Sequence, residues 1–249
     1  MIFVIKSAIA PMFDNACSDS QMVDEALHGM AVTIEDVQGE WAYVLTGYRY
    51  KGWVKKTHLA PYKPISGDIR YINTFAADIL AAPKVQAPLL LCLTLGCTVH
   101  KLEEMESGWS NVALADGRTG YIRTAFLSPF PKEASRSQIC KTAKLYLNTQ
   151  YRWGGKTPYG IDCSGLTFMA YYLNGINIYR DARIVPGFPI KEISPSDARE
   201  GDLLFFPGHV GIFLDKDTMI HSSEAASGVK IEQPKTAPTK AGNLLASIF

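Results

Sequence analysis

The chain has 249 residues, enough for one large domain or two to three small ones, and its 47% hydrophobic and 20% charged composition is that of a globular protein. A formal net charge of +1 leaves no electrostatic footprint for a polyanion, so no nucleic-acid partner is expected. Five cysteines (Cys17, Cys92, Cys97, Cys140 and Cys163) are odd in number and lack paired spacing, which predicts free thiols in a reducing compartment rather than a disulfide framework.

The opening residues, MIFVIKSAIAPMF, carry no positive charge ahead of their apolar run, and Lys6 and Pro11 interrupt it. They read as a first strand rather than a secretion signal. The later apolar run from Pro88 to Cys97 is too short to span a bilayer. No membrane partner is expected, and the simplest location is the cytoplasm.

The first 130 residues consist of short strands and turns that contain a repeat. Trp41, Val44, Gly52-Trp53-Val54, Leu59 and Pro61 recur as Trp109, Val112, Gly120-Tyr121-Ile122, Leu127 and Pro129, each at an offset of 68 residues. Ala31-Val32-Thr33-Ile34 and Val99-His100-Lys101-Leu102 show the alternation of half-buried strands. Two small all-β barrels are predicted, with Trp41 and Trp109 as core anchors. His28, His58 and His100 read as surface or turn residues without partners.

Residues 129 to 135, PFPKEAS, form a linker. A helix is predicted from about Ser137 to Thr149, with Ile139, Ala143, Tyr146 and Leu147 on one face and Cys140 packed beside them. Next come an aromatic-glycine loop, Tyr151 to Gly155, and a second helix opened by Asp162-Cys163-Ser164-Gly165. Leu166, Met169, Ala170 and Leu173 recur there at helical spacing, and Asn174-Gly175 stops the helix. Cys163 thus falls in a first turn, where unpaired N–H groups and the helix dipole favour a thiolate and pull its pKa down towards neutrality. A simply buried cysteine is the plain alternative.

Asn177 to Ala198 is irregular, with the polar cluster Tyr179-Arg180-Asp181-Ala182-Arg183 readable as a solvated loop. Strands follow over 201–206, 209–214, 218–223 and 229–232, with Asp215-Lys216-Asp217 as a hairpin turn. A three-residue turn makes Leu214 face Thr218 and His209 face Ser223, placing His221 diagonally from His209 on one face. A cysteine nucleophile needs a base, and the base needs a group to fix its tautomer. Cys163, His209 and His221 are the candidates for those three roles, and a cysteine on a helix followed by a histidine on a strand matches papain-like order.

The segments Y-R-W-G-G (Tyr151–Gly155), D-C-S-G-L (Asp162–Leu166), G-D-L-L-F-F (Gly201–Phe206), H-V-G-I-F (His209–Phe213) and M-I-H-S-S (Met219–Ser223) resemble the NlpC-type cysteine peptidases, which cleave bacterial cell-wall peptides. The resemblance implies an α+β, papain-like catalytic domain over 131–249, with Cys163 as nucleophile, His209 as base and His221 as third polar residue. It places Tyr151 beside the nucleophile as an oxyanion donor, helped by the Cys163 N–H. The W-x-x-V and G-W/Y-V/I patterns resemble bacterial SH3-like domains, at 1–63 and 64–130.

That combination resembles the cytoplasmic γ-D-glutamyl-L-diamino acid endopeptidases, whose substrates are peptidoglycan-derived peptides beginning L-Ala-γ-D-Glu. Asp162, Ser164, Trp153, Arg180 and Asp181 are the substrate-binding residues this implies in the catalytic domain. The subgroup's Arg-Asp-Ser reads Arg180-Asp181-Ala182 here, without the hydroxyl. In the first domain, Tyr50 matches a tyrosine that reaches substrate, and Asp24 or Glu25 is the candidate partner for the peptide's amine. No cofactor or metal is expected. Two other readings are a metal site at Cys163, His209 and His221, which lacks the paired spacing of a zinc motif, and a non-catalytic wall-binding protein. A wall hydrolase or amidase on the same scaffold is the nearest enzymatic alternative.

Overall fold

The computed structural model describes residues 1–215, 218–234 and 244–249. The chain divides into two units, Met1–Phe130 and Pro131–Phe249.

In the first unit the short alternating runs fold as antiparallel strands. They are β1 (Ile2–Ile5), β2 (Ile9–Phe13), β3 (Met22–Leu27), β4 (Ala31–Gln38), β5 (Trp41–Thr46), β6 (Lys51–Lys55) and β7 (Leu59–Pro61). A second set comprises β8 (Asp68–Ile72), β9 (Ala77–Leu80), β10 (Leu89–Leu93), β11 (Thr98–Glu104), β12 (Trp109–Ala113), β13 (Thr119–Arg123) and β14 (Leu127–Ser128). The sheets order their strands β3-β2-β6-β5-β4-β1-β7 and β10-β9-β13-β12-β11-β8-β14, the same path taken twice.

The repeat extends to single contacts. Trp41 pairs with Lys55 across β5 and β6, as Trp109 pairs with Arg123 across β12 and β13. The Lys55 ammonium lies 5.3 Å from the Trp41 ring, and the Arg123 guanidinium 4.2 Å from the Trp109 ring. Ahead of the tryptophans the offset is 67 rather than 68: Gly29 N–H donates to Ile5 O, and Gly96 N–H to Ile72 O. The second copy has one extra residue in the hairpin between β11 and β12.

Neither sheet closes into the predicted barrel. Among the described residues, β3 and β7 are the edges of the first sheet, and β10 and β14 those of the second. The final strands, three and two residues long, are too short for a closing ladder.

His28 is a further departure from the sequence expectation. It sits in a turn, but it is fully buried and bridges the two sheets. Its Nδ1 lies 2.9 Å from Lys6 O, and its Nε2 accepts from Ala115 N–H at 3.0 Å. A neutral ring protonated at Nδ1 satisfies both bonds. Beside it the Thr98 N–H donates to His28 O at 2.9 Å. Gly29 adopts φ +84°, and a Cβ there would run into Thr98 Oγ1.

In the second unit, α1 (Arg136–Leu145) starts at Ser135, whose hydroxyl accepts from Gln138 N–H at 3.3 Å. It buries Ile139, Cys140 and Ala143. It ends before the expected Thr149, since Asn148 takes a left-handed φ of 66°, and Leu147 is left exposed. The short strands β15 (Lys156–Thr157) and β16 (Gly160–Ile161) lead into α2 (Cys163–Tyr172). Every α2 residue but Tyr172 is buried, so this is a central helix rather than an amphipathic one.

The sheet beside it comprises β17 (Lys191–Ile193), β18 (Leu203–Phe206), β19 (His209–Asp215), β20 (Thr218–Ser223), β21 (Gly228–Glu232) and β22 (Leu244–Ser247), in the order β17-β22-β18-β19-β20-β21. Strand β17 lies inside the stretch expected to be irregular, and it pairs with β22 near the far end of the chain. At the β19–β20 hairpin, Asp215 rather than Leu214 faces Thr218, and a register shift then brings Phe213 to Met219 and Ile212 to Ile220. Lys216 and Asp217 of the expected turn lie outside the described residues. All five cysteines are free. No helix among the described residues is long and apolar enough to cross a membrane.

Burial lowers the His28 pKa from 6.5 to about 4, opposed in part by the Lys6 carbonyl. Between these values the unfolded chain binds a proton that the folded one does not, so stability falls as pH drops through this window. Full loss amounts to on the order of 3 kcal/mol. In denaturant unfolding of the whole chain, His28→Phe should be less stable at pH 7 and show a shallower pH slope between 6.5 and 4. Equal slopes would mean that the ring is not held neutral.

Candidate active site

Asp162 caps α2 with φ −89° and ψ 179°, and its side chain gathers the loops around the helix start. Oδ1 accepts from the Gly165 N–H at 2.6 Å and from Ser164 Oγ at 3.2 Å, and Oδ2 accepts from the Gly154 N–H at 2.8 Å. Arg180 grips the same carboxylate with both nitrogens, Nη1 to Oδ1 at 2.9 Å and Nη2 to Oδ2 at 3.1 Å. Its guanidinium also donates to Ser164 Oγ at 2.9 Å and to Gly155 O at 3.1 Å. Arg180 is 1% exposed, so its side chain belongs to the interior rather than to a solvated loop. Only glycine fits at 165, where a Cβ would strike the Gly155 carbonyl.

This network sets Cys163 at the first helical position, 7% exposed, with its sulfur facing the backbone N–H groups of Val210 and Ser164. The thiol pKa is nevertheless raised. Burial is the main cause and the Asp162 carboxylate adds to it, outweighing the two amides and Arg180. The expected depression by the helix start is therefore overturned in the resting site by desolvation.

Strands β19 and β20 pack on α2 and bring two histidines together. His209 Nε2 lies 2.7 Å from His221 Nδ1, with the rings edge to face at 82°. The shared face expected from alternation is observed, since the bulge is confined to the turn end of the hairpin. Burial, and then the neighbouring His221, lower the His209 pKa to about 4, so its ring is neutral at pH 7. His221 is 5% exposed, and its Nε2 lies 3.4 Å from Glu232 Oε2 on β21. Ser222 Oγ donates to Ile161 O at 2.6 Å, tying β20 to the segment before the cysteine.

Tyr151 pairs with Ile161 in a parallel bridge, and its N–H donates to Ser227 O. Burial and the negative charge available at Cys163 and Asp162 push its phenol pKa up to about 12, so the hydroxyl remains a donor. Trp153 is 59% exposed and does not pack in the core. Asp181 lies at the surface, 3.7 Å from the Arg183 guanidinium.

The three first-unit candidates are placed as follows. Asp24 and Glu25 are adjacent buried carboxylates on β3, and Asp24 Oδ2 accepts from the Tyr48 hydroxyl at 2.5 Å. Tyr50 follows a turn in which its N–H donates to Thr46 Oγ1 and its carbonyl accepts from the Thr46 N–H. No group of three His, Cys, Asp or Glu side chains among the described residues is arranged to hold a metal ion.

Sequence reasoning missed Glu232, Ser222 and Tyr48. For Glu232 a signal was present: it lies at the end of a strand next to the His221 strand, and period two puts it on the histidine's face.

Comparison with known proteins gives two family matches. The NlpC/P60 family model covers residues 148–246, and the bacterial dipeptidyl-peptidase Sh3 domain model covers residues 12–59. A Lysinibacillus sphaericus protein named Dipeptidyl-peptidase 6 is 38% identical over 243 residues, covering 92% of this chain and 90% of the relative. A Bacillus subtilis (strain 168) protein named Gamma-D-glutamyl-L-lysine dipeptidyl-peptidase is 28% identical over 236 residues, covering 86% and 77%. The crystal structure of an NlpC/P60 family protein from Bacillus cereus superposes with a TM-score of 0.82 over 99% of this chain and 98% of that one, at 21% identity, and so shares the fold. A cysteine at a helix start, two histidines paired on strands that pack against that helix, a matching family model and a relative aligned over 92% of this chain lead to one assignment: the chain belongs to the NlpC/P60 family of cysteine peptidases.

Proposed function

We propose that this peptidase hydrolyses the γ-D-glutamyl–L-diamino acid bond of peptidoglycan-derived peptides whose N-terminal L-Ala is free. Its place would be the recycling of such peptides in the cytoplasm. Residues 1–63 and 64–130 are read as two SH3-like domains serving the catalytic domain at 131–249. The observation that carries the reading is the 2.7 Å contact between His209 and His221, beside a helix that begins at Cys163. The names of the relatives supply the substrate class.

In this reading the reaction is acyl transfer through sulfur. Neutral His209 accepts the Cys163 proton as the thiol attacks the γ-carbonyl carbon, and the carbonyl oxygen takes up negative charge. The Cys163 N–H and the Tyr151 hydroxyl donate to that oxygen. The imidazolium of His209 then protonates the leaving amine, and water, with His209 again as base, releases the γ-glutamyl group from the thioester. His221 holds the base in position. Asp162, Ser164, Arg180, Asp181 and Trp153 are assigned to the substrate side, with Asp162 and Arg180 also holding the loops they bond.

Cys163→Ala should fold and lose several powers of ten in kcat. His221→Ala should cost less than His209→Ala, since orienting a base is a smaller task than being one. The measurement is mass spectrometry of defined wall peptides incubated with each purified variant. Turnover by the alanine variant equal to that of the parent would end the covalent mechanism.

Specificity for the peptide terminus is assigned to Tyr50 and to Asp24 or Glu25. A charge-assisted bond between a carboxylate and the substrate ammonium is worth about 1.5–3 kcal/mol, roughly one to two powers of ten. The kcat/KM for L-Ala-γ-D-Glu-L-Lys should exceed that for its N-acetylated form by at least this factor. Asp24→Asn or Glu25→Gln should narrow the gap. Equal values for the two peptides in the parent would instead favour a general wall hydrolase.

A further inference from the structure

The hydrogen-bond chain at the site does not stop at His221. For His209 to take the thiol proton at Nδ1, its own proton must be on Nε2, and the 2.7 Å contact then makes His221 Nδ1 the acceptor. The His221 proton is consequently on Nε2, the nitrogen buried beside β21. There Glu232 Oε2 lies 3.4 Å away, within ion-pairing distance but not aligned as a hydrogen bond, so its pull on the ring is electrostatic.

The register explains the approach. His221 faces Lys230 directly across β20 and β21, and Glu232 lies two residues further along the same face, a diagonal neighbour. Lys230 turns its ammonium to Asn148 Oδ1 at 3.3 Å, leaving the carboxylate beside the ring nitrogen. On His209 itself the charged neighbour is His221, while Asp162, Arg180 and Glu224 act on Cys163 and Tyr151.

We propose that Glu232 is a positioning residue for catalysis: it holds His221 in the Nε2–H tautomer and stabilises the charge that the His209–His221 pair takes up during turnover. The proposal rests on the hydrolase reading for its kinetic consequence, but its tautomer consequence stands without it. The carboxylate is not a catalytic residue, since two rings separate it from the sulfur. The Glu232 side chain is 37% exposed, so solvent weakens the contact and its removal leaves the fold in place.

The test uses the full chain, labelled with nitrogen-15 in its histidines. Ring NMR should find the His221 proton on Nε2 in the parent. In Glu232→Gln the pair should titrate lower by about a few tenths of a pH unit, and in Glu232→Lys lower still, with both shifts shrinking in high salt. A His221 proton on Nδ1, or titration unchanged by both substitutions, would overturn the proposal. In the kinetic arm, Glu232→Gln should lower kcat roughly three- to tenfold with KM unchanged and move the acid limb of kcat/KM down by the same few tenths. An unchanged kcat and limb in a parent whose turnover depends on Cys163 would also overturn it. Absence of Cys163-dependent turnover would overturn the hydrolase reading instead, with the ring spectra still deciding the tautomer.

Discussion

The buried pairing of Asp162 with Arg180 is the constraint on which the site depends. One carboxylate closes the N-terminus of α2, holds the glycine loop through Gly154, and takes both terminal guanidinium nitrogens of a residue that follows the helix in the chain. Two charges removed from water are costly unless every donor and acceptor is met. Here two further guanidinium donors go to Ser164 and Gly155, so the arrangement tolerates little displacement. Breaking one partner would leave the other charged in the interior, and the start of α2, with Cys163 on it, would lose its definition. The pair stabilises a place in the structure more than it stabilises the chain as a whole.

The resting electrostatics of the site oppose charge separation. Burial moves the Cys163 thiol upwards and the His209 ring downwards, so the uncharged form of each is favoured. In the proposed reaction the sulfur need not be ionised beforehand, and proton transfer can accompany attack. Interactions that appear only as charge develops then contribute most to rate. Donors that keep their protons suit that task, and the Tyr151 hydroxyl assigned to it in the proposed reaction stays protonated well above neutral pH.

Much of this was legible in the sequence where the signal is local. The cap and first turn at Asp162–Cys163 follow from short-range rules, and the histidine pair follows from strand alternation, because the bulge in the hairpin lies beyond both rings. The internal repeat was readable because its tryptophans and glycines occupy fixed register positions, although the one-residue change in offset was not. What escaped depends on distant partners. Strand β17 exists only through pairing with β22, and the burial of Arg180 reflects a carboxylate eighteen positions earlier in the chain. His28 looked like an exposed turn residue because its acceptor and donor come from opposite ends of the unit. The thiol pKa was misjudged in sign because desolvation cannot be read from position on a helix.

The junction between the two sheets has a consequence for the order of the two copies. The turn Leu27–Met30 and the turn Thr94–Cys97 are the same element in the two copies, and each is closed by the same 3.0 Å backbone bond. What each turn offers across the junction differs: His28 meets Thr98 and the Ala115 N–H, and Cys97 Sγ donates to Ala8 O at 3.3 Å. At the offset of 67, Leu95 stands where His28 stands in the first copy, and a leucine has no ring nitrogens to repeat those bonds. The copies share a path but are not interchangeable: trading their places would leave buried backbone groups without the imidazole that now serves them.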